Sequence, residues 1–214
     1  MEYKQLFNHS NKVLRQRWHR SAANEFGRLA QGVGNRIRGT DTIHFIHPSK
    51  IPKGRTATYA RTVCEHRPQK TEPDRTRITV GGNLIDYPGD VSTRTADLTT
   101  AKLLFNSVVS DDEAEFMCLD IRNYYLGTPL DRYEYMRFRL ETIPMEIRLQ
   151  YELDKIAVNG WVYVEIRKGM YGLPQAGMLA NNYSRHDSNN MATKNVVIPP
   201  GYGVINGAQS PLSS

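Results

Sequence analysis

The chain has 214 residues, 39% apolar and 23% charged, with a formal net charge of +6, a balance that suits a globular domain with a modest core. No run of about 18 apolar residues occurs, so no membrane span is expected, and the opening Met-Glu-Tyr-Lys-Gln-Leu lacks the apolar stretch of a secretory leader. Cys64 and Cys118 are the only cysteines, too few for a disulfide framework, so buried free thiols and an intracellular (cytoplasmic or nuclear) setting are expected.

The charge is unevenly spread. Residues 1–80 hold 16 Lys+Arg against 6 Asp+Glu, whereas residues 81–182 hold 10 against 15. A basic first part attracts phosphate and an acidic middle holds cations. Ordinary solvated surface gives the same counts, so charge alone decides neither.

In chain order, the first element predicted is a helix over 12–30. Leu14, Trp18, Ala22, Phe26 and Leu29 recur at helical spacing. Gly32, Gly34 and Gly39 break it, and a lone Gly-Val-Gly with no preceding strand is a poor phosphate loop. Thr42–His47 is β-prone and stops at Pro48. Thr58–Glu65 and Thr76–Val80 read as a hairpin whose connection and second strand carry Arg67, Lys70, Arg75 and Arg77. Thr95–Val109 reads as a helix capped by Thr95, with Leu98, Ala101, Leu104, Phe105 and Val108 in one stripe. Asp111-Asp112-Glu113 is a solvated turn. Phe116–Ile121 is an apolar run broken by Asp120. Tyr133–Phe138 and Trp161–Ile166 are further strands, with a helix around Pro144–Leu153 between them. From residue 183 onward the Asn, Pro, Gly and Ser content predicts a poorly ordered tail.

Asp120 is the position where chemistry is expected. A carboxylate in an apolar strand is costly unless paired, hydrogen-bonded or bound to a metal. Taken alone, an acid at a strand end more often caps a turn than catalyses. Two other groupings are weaker. His44-x-x-His47 has metal-like spacing without a third or fourth ligand nearby, and structural zinc takes four. Ser21 or Ser107 with His66 and Asp120 makes a hydrolase triad only on paper, because no Gly-x-Ser-x-Gly elbow exists.

The string L-D-I-R-N-Y-Y-L-G-T-P-L around Asp120 and the string K-G-M-Y-G-L-P-Q-A-G, which puts Gln175 55 residues after Asp120, together resemble the first two polymerase motifs of copia-type reverse transcriptases. Trp18–Leu29 resembles the helix that opens such domains, and the basic hairpin at 58–82 resembles their fingers hairpin. The resemblance covers roughly residues 16–182. It implies an RNA-directed DNA polymerase with an α+β fold: an incomplete right-hand fingers and palm with a β-hairpin, helices and a partial antiparallel palm sheet. It divides the chain into a helical extension (1–50), the partial fingers and palm (51–182) and a tail outside the family (183–214).

By the same resemblance, Asp120 is the catalytic, metal-binding carboxylate, assisted by the Ile121 carbonyl, and the cofactor is Mg²⁺ or Mn²⁺. Tyr125 gates the incoming sugar, Gln175 contacts the nucleotide, Arg75 or Arg77 faces the triphosphate, and Gly172 and Gly177 let backbone approach the substrate. The partners are an RNA or DNA template-primer and deoxynucleoside triphosphates.

The sequence departs from the family in one decisive place. No aromatic-x-Asp-Asp string follows Gln175, where Asp187 is the sole acid. The family's phosphoryl transfer uses two divalent ions about 4 Å apart, and one carboxylate makes a weak, hydrated magnesium site. The expectation is therefore a truncated polymerase segment without activity of its own. The alternatives are a non-catalytic nucleic-acid-binding remnant and a pseudogene product.

Overall fold

A computed structural model describes residues 2–92, 97–114 and 123–183. A short helix α1 (Tyr3–Phe7) leads into the long helix α2 (Lys12–Leu29). Asn11 caps α2: its side-chain oxygen accepts from the Val13 and Leu14 amides at 3.0 and 3.2 Å. The predicted stripe forms its inner face, with Trp18, Ala22, Phe26 and Leu29 buried and Leu14 half-buried at the outer end. Each large side chain so buried stabilises the fold by about 1.5–3 kcal/mol. The helix ends at Ala30, where a two-stranded ribbon of β1 (Gly32–Val33) and β2 (Ile37–Arg38) turns the chain back.

Five strands make the main sheet: β3 (Ile43–Ile46), β4 (Thr58–His66), β5 (Asp74–Val80), β6 (Pro129–Arg139) and β7 (Trp161–Lys168), in the order β3-β7-β6-β4-β5. The chain is α+β, but the sheet is mixed rather than wholly antiparallel. β4 meets β6 in parallel through Thr58↔Met136 and Tyr59↔Arg137. A parallel neighbour needs a long crossover, and residues 67–128 provide one. The other three pairings are antiparallel, including the predicted hairpin, in register Cys64↔Thr76.

Alternation sets the core. Val162, Val164 and Ile166 of β7 and Met136 and Phe138 of β6 point to one face and are buried. Phe26 meets Phe138 edge-on there, with ring centres 5.1 Å apart. Two short helices, α4 (Met145–Gln150) and α5 (Leu153–Ile156), close the same core with Ile147 and Leu153. Helix α2 and β3 share this core and sheet with the later elements.

Helix α3 (Leu98–Val109) behaves otherwise. It is capped by Asp97, whose carboxylate accepts from the Thr100 amide at 2.8 Å, while Thr95 lies outside the described residues. None of its residues is fully buried: Ala101, Leu104 and Val108 of the predicted stripe are half-buried, and Leu98 and Phe105 are exposed. Cys64 is a half-buried free thiol on β4. No described helix is long and apolar enough to cross a membrane.

Candidate functional site: an arginine-lined cleft

Strand β5 is the edge of the sheet, and its outer side is where the basic residues gather. Sheet edges expose unpaired N–H groups that proteins tend to cover. Here Glu25 of α2 accepts from the Ile78 amide at 3.3 Å, and the Tyr171 carbonyl accepts from the Val80 amide at 2.8 Å. Between these covers runs a cleft of about 630 Å³ lined by Arg17, Arg20, Arg28, Arg67, Arg75 and Arg77. Asn123, Leu126 and Tyr171 form its other wall.

Several of these guanidiniums already have partners. Arg17 pairs with Asp74 at 2.7 Å, and Asp74 also takes His66 at 2.8 Å. Arg28 pairs with Glu25 at 2.5 Å. Others are less satisfied: the Nε atoms of Arg67 and Arg77 are buried and have no hydrogen-bond partner among the described residues. Arg67 comes only within 4.0 Å of Glu65, too long for a hydrogen bond. Arg77 instead lies over the Tyr171 ring at 5.6 Å. Burial and the neighbouring Arg77 and Arg67 hold Arg75 below the usual arginine range, though an arginine stays charged there. Cations crowded together with unsatisfied donors form a site for an anion, and for phosphate above all. Tyr171 is 42% exposed, so the cleft also offers an aromatic face to a base.

The other expected site residues sit around this cleft in different ways. Asp120 and Ile121 lie outside the described residues. Among the described residues no group of three His, Cys, Asp or Glu side chains could hold a metal ion; Asp120, the expected Mg²⁺ or Mn²⁺ carboxylate, is not among them. Tyr125 is half-buried at the start of a 3₁₀ turn, and its ring meets Tyr171 edge-on at 5.3 Å. It therefore supports the cleft wall without lining it. Tyr124 turns the other way, donating its hydroxyl to the Ala180 carbonyl at 2.8 Å.

Gly172 brings backbone to backbone. Its φ is +93°, and an added Cβ would overlap the Val80 carbonyl. Its close approach is to β5, which locks the Tyr171 turn onto the hairpin.

Gln175 is fully buried and does not line the cleft. Its Nε2 donates to Glu134 at 3.4 Å, and its Oε1 has no partner among the described residues. Glu134 is the centre of a buried network, accepting from Arg55 at 2.6 Å and Arg132 at 2.9 Å.

Arg17, Arg20, Glu25, Arg28, Asn123 and Tyr171 were not anticipated as site residues. The visible signal was the polar face of α2, where Glu25 and Arg28 stand three apart. Comparison of the chain with protein-family models, with curated proteins and with solved structures found no match.

Proposed function

We propose that this chain is the fingers-and-palm portion of a copia-type reverse transcriptase. Its own contribution is to hold the phosphates of a nucleic-acid template-primer or an incoming deoxynucleotide. One observation carries this reading. Three segments far apart in sequence, the basic hairpin, the stretch just after L-D-I-R and the Tyr171 turn of the second motif, line one arginine-rich cleft. The resemblance assigns nucleotide contacts to residues of the same segments: Arg75 and Arg77 line the cleft, Tyr125 backs its wall, and Gln175 lies in the core behind it.

In the family's reaction a primer 3′ oxygen attacks the α-phosphorus of a deoxynucleoside triphosphate, and pyrophosphate leaves. The resemblance assigns metal binding to Asp120 with the Ile121 carbonyl. The sequence has no aromatic-x-Asp-Asp string to supply further carboxylates. This chain alone therefore binds nucleic acid and does not extend a primer. The test is a primer-extension assay with Mg²⁺ or Mn²⁺ beside a binding assay at several salt concentrations. Salt-sensitive binding without extension is expected. Robust DNA synthesis contradicts the inactivity, and absence of binding contradicts the whole reading.

A second reading is a non-catalytic nucleic-acid binder that uses only residues 1–80. It is favoured by the fact that all six cleft arginines lie in that span. Replacing Tyr171 separates the two: the polymerase reading expects weaker binding in Tyr171→Ala, and the second expects no change.

A further inference from the structure

Glu25 is the anomaly of the arginine cleft. It is a carboxylate on the inner wall of an anion site, 7% exposed. One oxygen, Oε2, takes an Arg28 N–H at 2.5 Å, and the other, Oε1, takes the Ile78 amide at 3.3 Å. The charged groups around it come from three elements. Helix α2 supplies Arg28, with Arg17 and Arg20 further along the cleft. Strand β5 supplies Arg75, Arg77 and Asp74, the last occupied by Arg17 and His66. The hairpin connection supplies Arg67 and Glu72, and the wall formed by Asn123, Leu126 and Tyr171 carries no charge.

A phosphate entering this cleft meets Glu25 as a competitor. The carboxylate already occupies Arg28, and two anions sharing Arg28 and Arg75 on a poorly hydrated wall repel each other. Protonation removes the conflict. A neutral carboxyl keeps an oxygen for the Ile78 amide, so the strand edge stays covered, and it releases the Arg28 guanidinium to the phosphate.

Resting on the reading of the cleft as a phosphate site, we infer that Glu25 is its proton acceptor: a phosphodiester of a nucleic-acid strand binds beside Arg28 and Arg75 as Glu25 takes up one proton from solvent. The phosphodiester keeps its charge, and no other bond is made or broken. Burial already pushes the Glu25 carboxyl above its usual range, against the smaller opposing pull of Arg28 and the Ile78 amide. A bound anion pushes it in the same direction. Linkage then makes binding tighter as pH falls, by up to about tenfold per pH unit for one proton.

The test measures the affinity of a short fluorescent oligothymidylate at fixed ionic strength between about pH 5.5 and 8.5, a window in which phosphodiesters and arginines do not titrate. Wild type is expected to weaken severalfold per unit of rising pH. Glu25→Gln keeps an acceptor for Ile78 and mimics the protonated state, so it should bind severalfold more tightly near the alkaline end, with a flat profile. His66→Gln controls for the imidazole on the hairpin and should keep the wild-type slope.

Should Glu25→Gln fold poorly, calorimetry on His66→Gln in buffers of different ionisation heat reads proton uptake directly, and uptake approaching one proton is expected. A slope that persists in Glu25→Gln, or vanishes in His66→Gln, overturns the inference while leaving the phosphate site standing, as does binding with no proton uptake. Absence of oligonucleotide binding at every pH overturns the site and this inference together.

Discussion

Gly172 and Val80 are joined backbone to backbone. The amide of Val80 donates to the carbonyl of the preceding residue, Tyr171, at 2.8 Å, and there is no room for a side chain between Gly172 and the Val80 carbonyl. This contact ties the second motif to the basic hairpin and sets the position of Tyr171 over Arg77. Gly172→Ala must adopt a left-handed φ and displace the Val80 carbonyl, at a combined cost of about 2–4 kcal/mol. A lower denaturation midpoint and weaker oligonucleotide binding are expected together. Gly127→Ala is the control: an added Cβ there meets nothing within 4 Å, and its stability should stay within about 0.5 kcal/mol of wild type.

The buried network around Glu134 gives a second prediction. Glu134→Ala strands Arg55 and Arg132, which are partly exposed and can rehydrate. The expected loss is therefore about 2–3 kcal/mol, below the usual cost of breaking a fully buried pair. Gln175→Met acts in the opposite direction. It removes an unpartnered buried oxygen and gives up only a long contact to Glu134, so a gain of about 0.5–1 kcal/mol in urea unfolding is expected. A loss of stability in Gln175→Met would mean that Oε1 is bonded in solution.

Much of the secondary structure is legible in the sequence. Helix α2 follows from Trp18, Ala22, Phe26 and Leu29, and the hairpin follows from two β-rich runs around Pro68 and Pro73, because periodicity and turn residues act locally. The parallel β4–β6 contact is not legible, since nothing in Thr58 or Met136 states that they meet. The cleft was half legible: Arg75 and Arg77 stand in an evident basic hairpin, while Arg20, Glu25 and Tyr171 join them only through packing of α2 and the Gly172 turn. For Gln175, the burial of the side chain in the core beside Glu134 is set by tertiary packing that the string Gly-Leu-Pro-Gln does not encode.

Stability should carry a signature of Glu25. Its carboxyl is raised in the folded chain by burial, so its favourable contribution is full below the unfolded-state value and is lost as pH rises through the folded one. The stability of Glu25→Gln relative to wild type should therefore climb as pH rises above the unfolded carboxylate value of about 4.3 and level off once pH passes the folded one, followed by thermal melts at each pH. Glu146 titrates with the opposite sign: its hydrogen bond from Arg36 lowers it, so its contribution is present above the unfolded carboxylate range and fades on acidification. A Glu25→Gln difference that is flat with pH would contradict the assigned direction.

The claim that the arginine cleft is a phosphate site is tested most directly by the salt dependence of oligonucleotide binding in wild type and in Arg75→Ala/Arg77→Ala. Each phosphate contact adds roughly 0.7–0.9 to the slope of log affinity against log salt. The double variant is expected to bind more weakly and to lose about one to two units of that slope, while its melting temperature stays close to wild type. An unchanged affinity and slope in the folded double variant would contradict it.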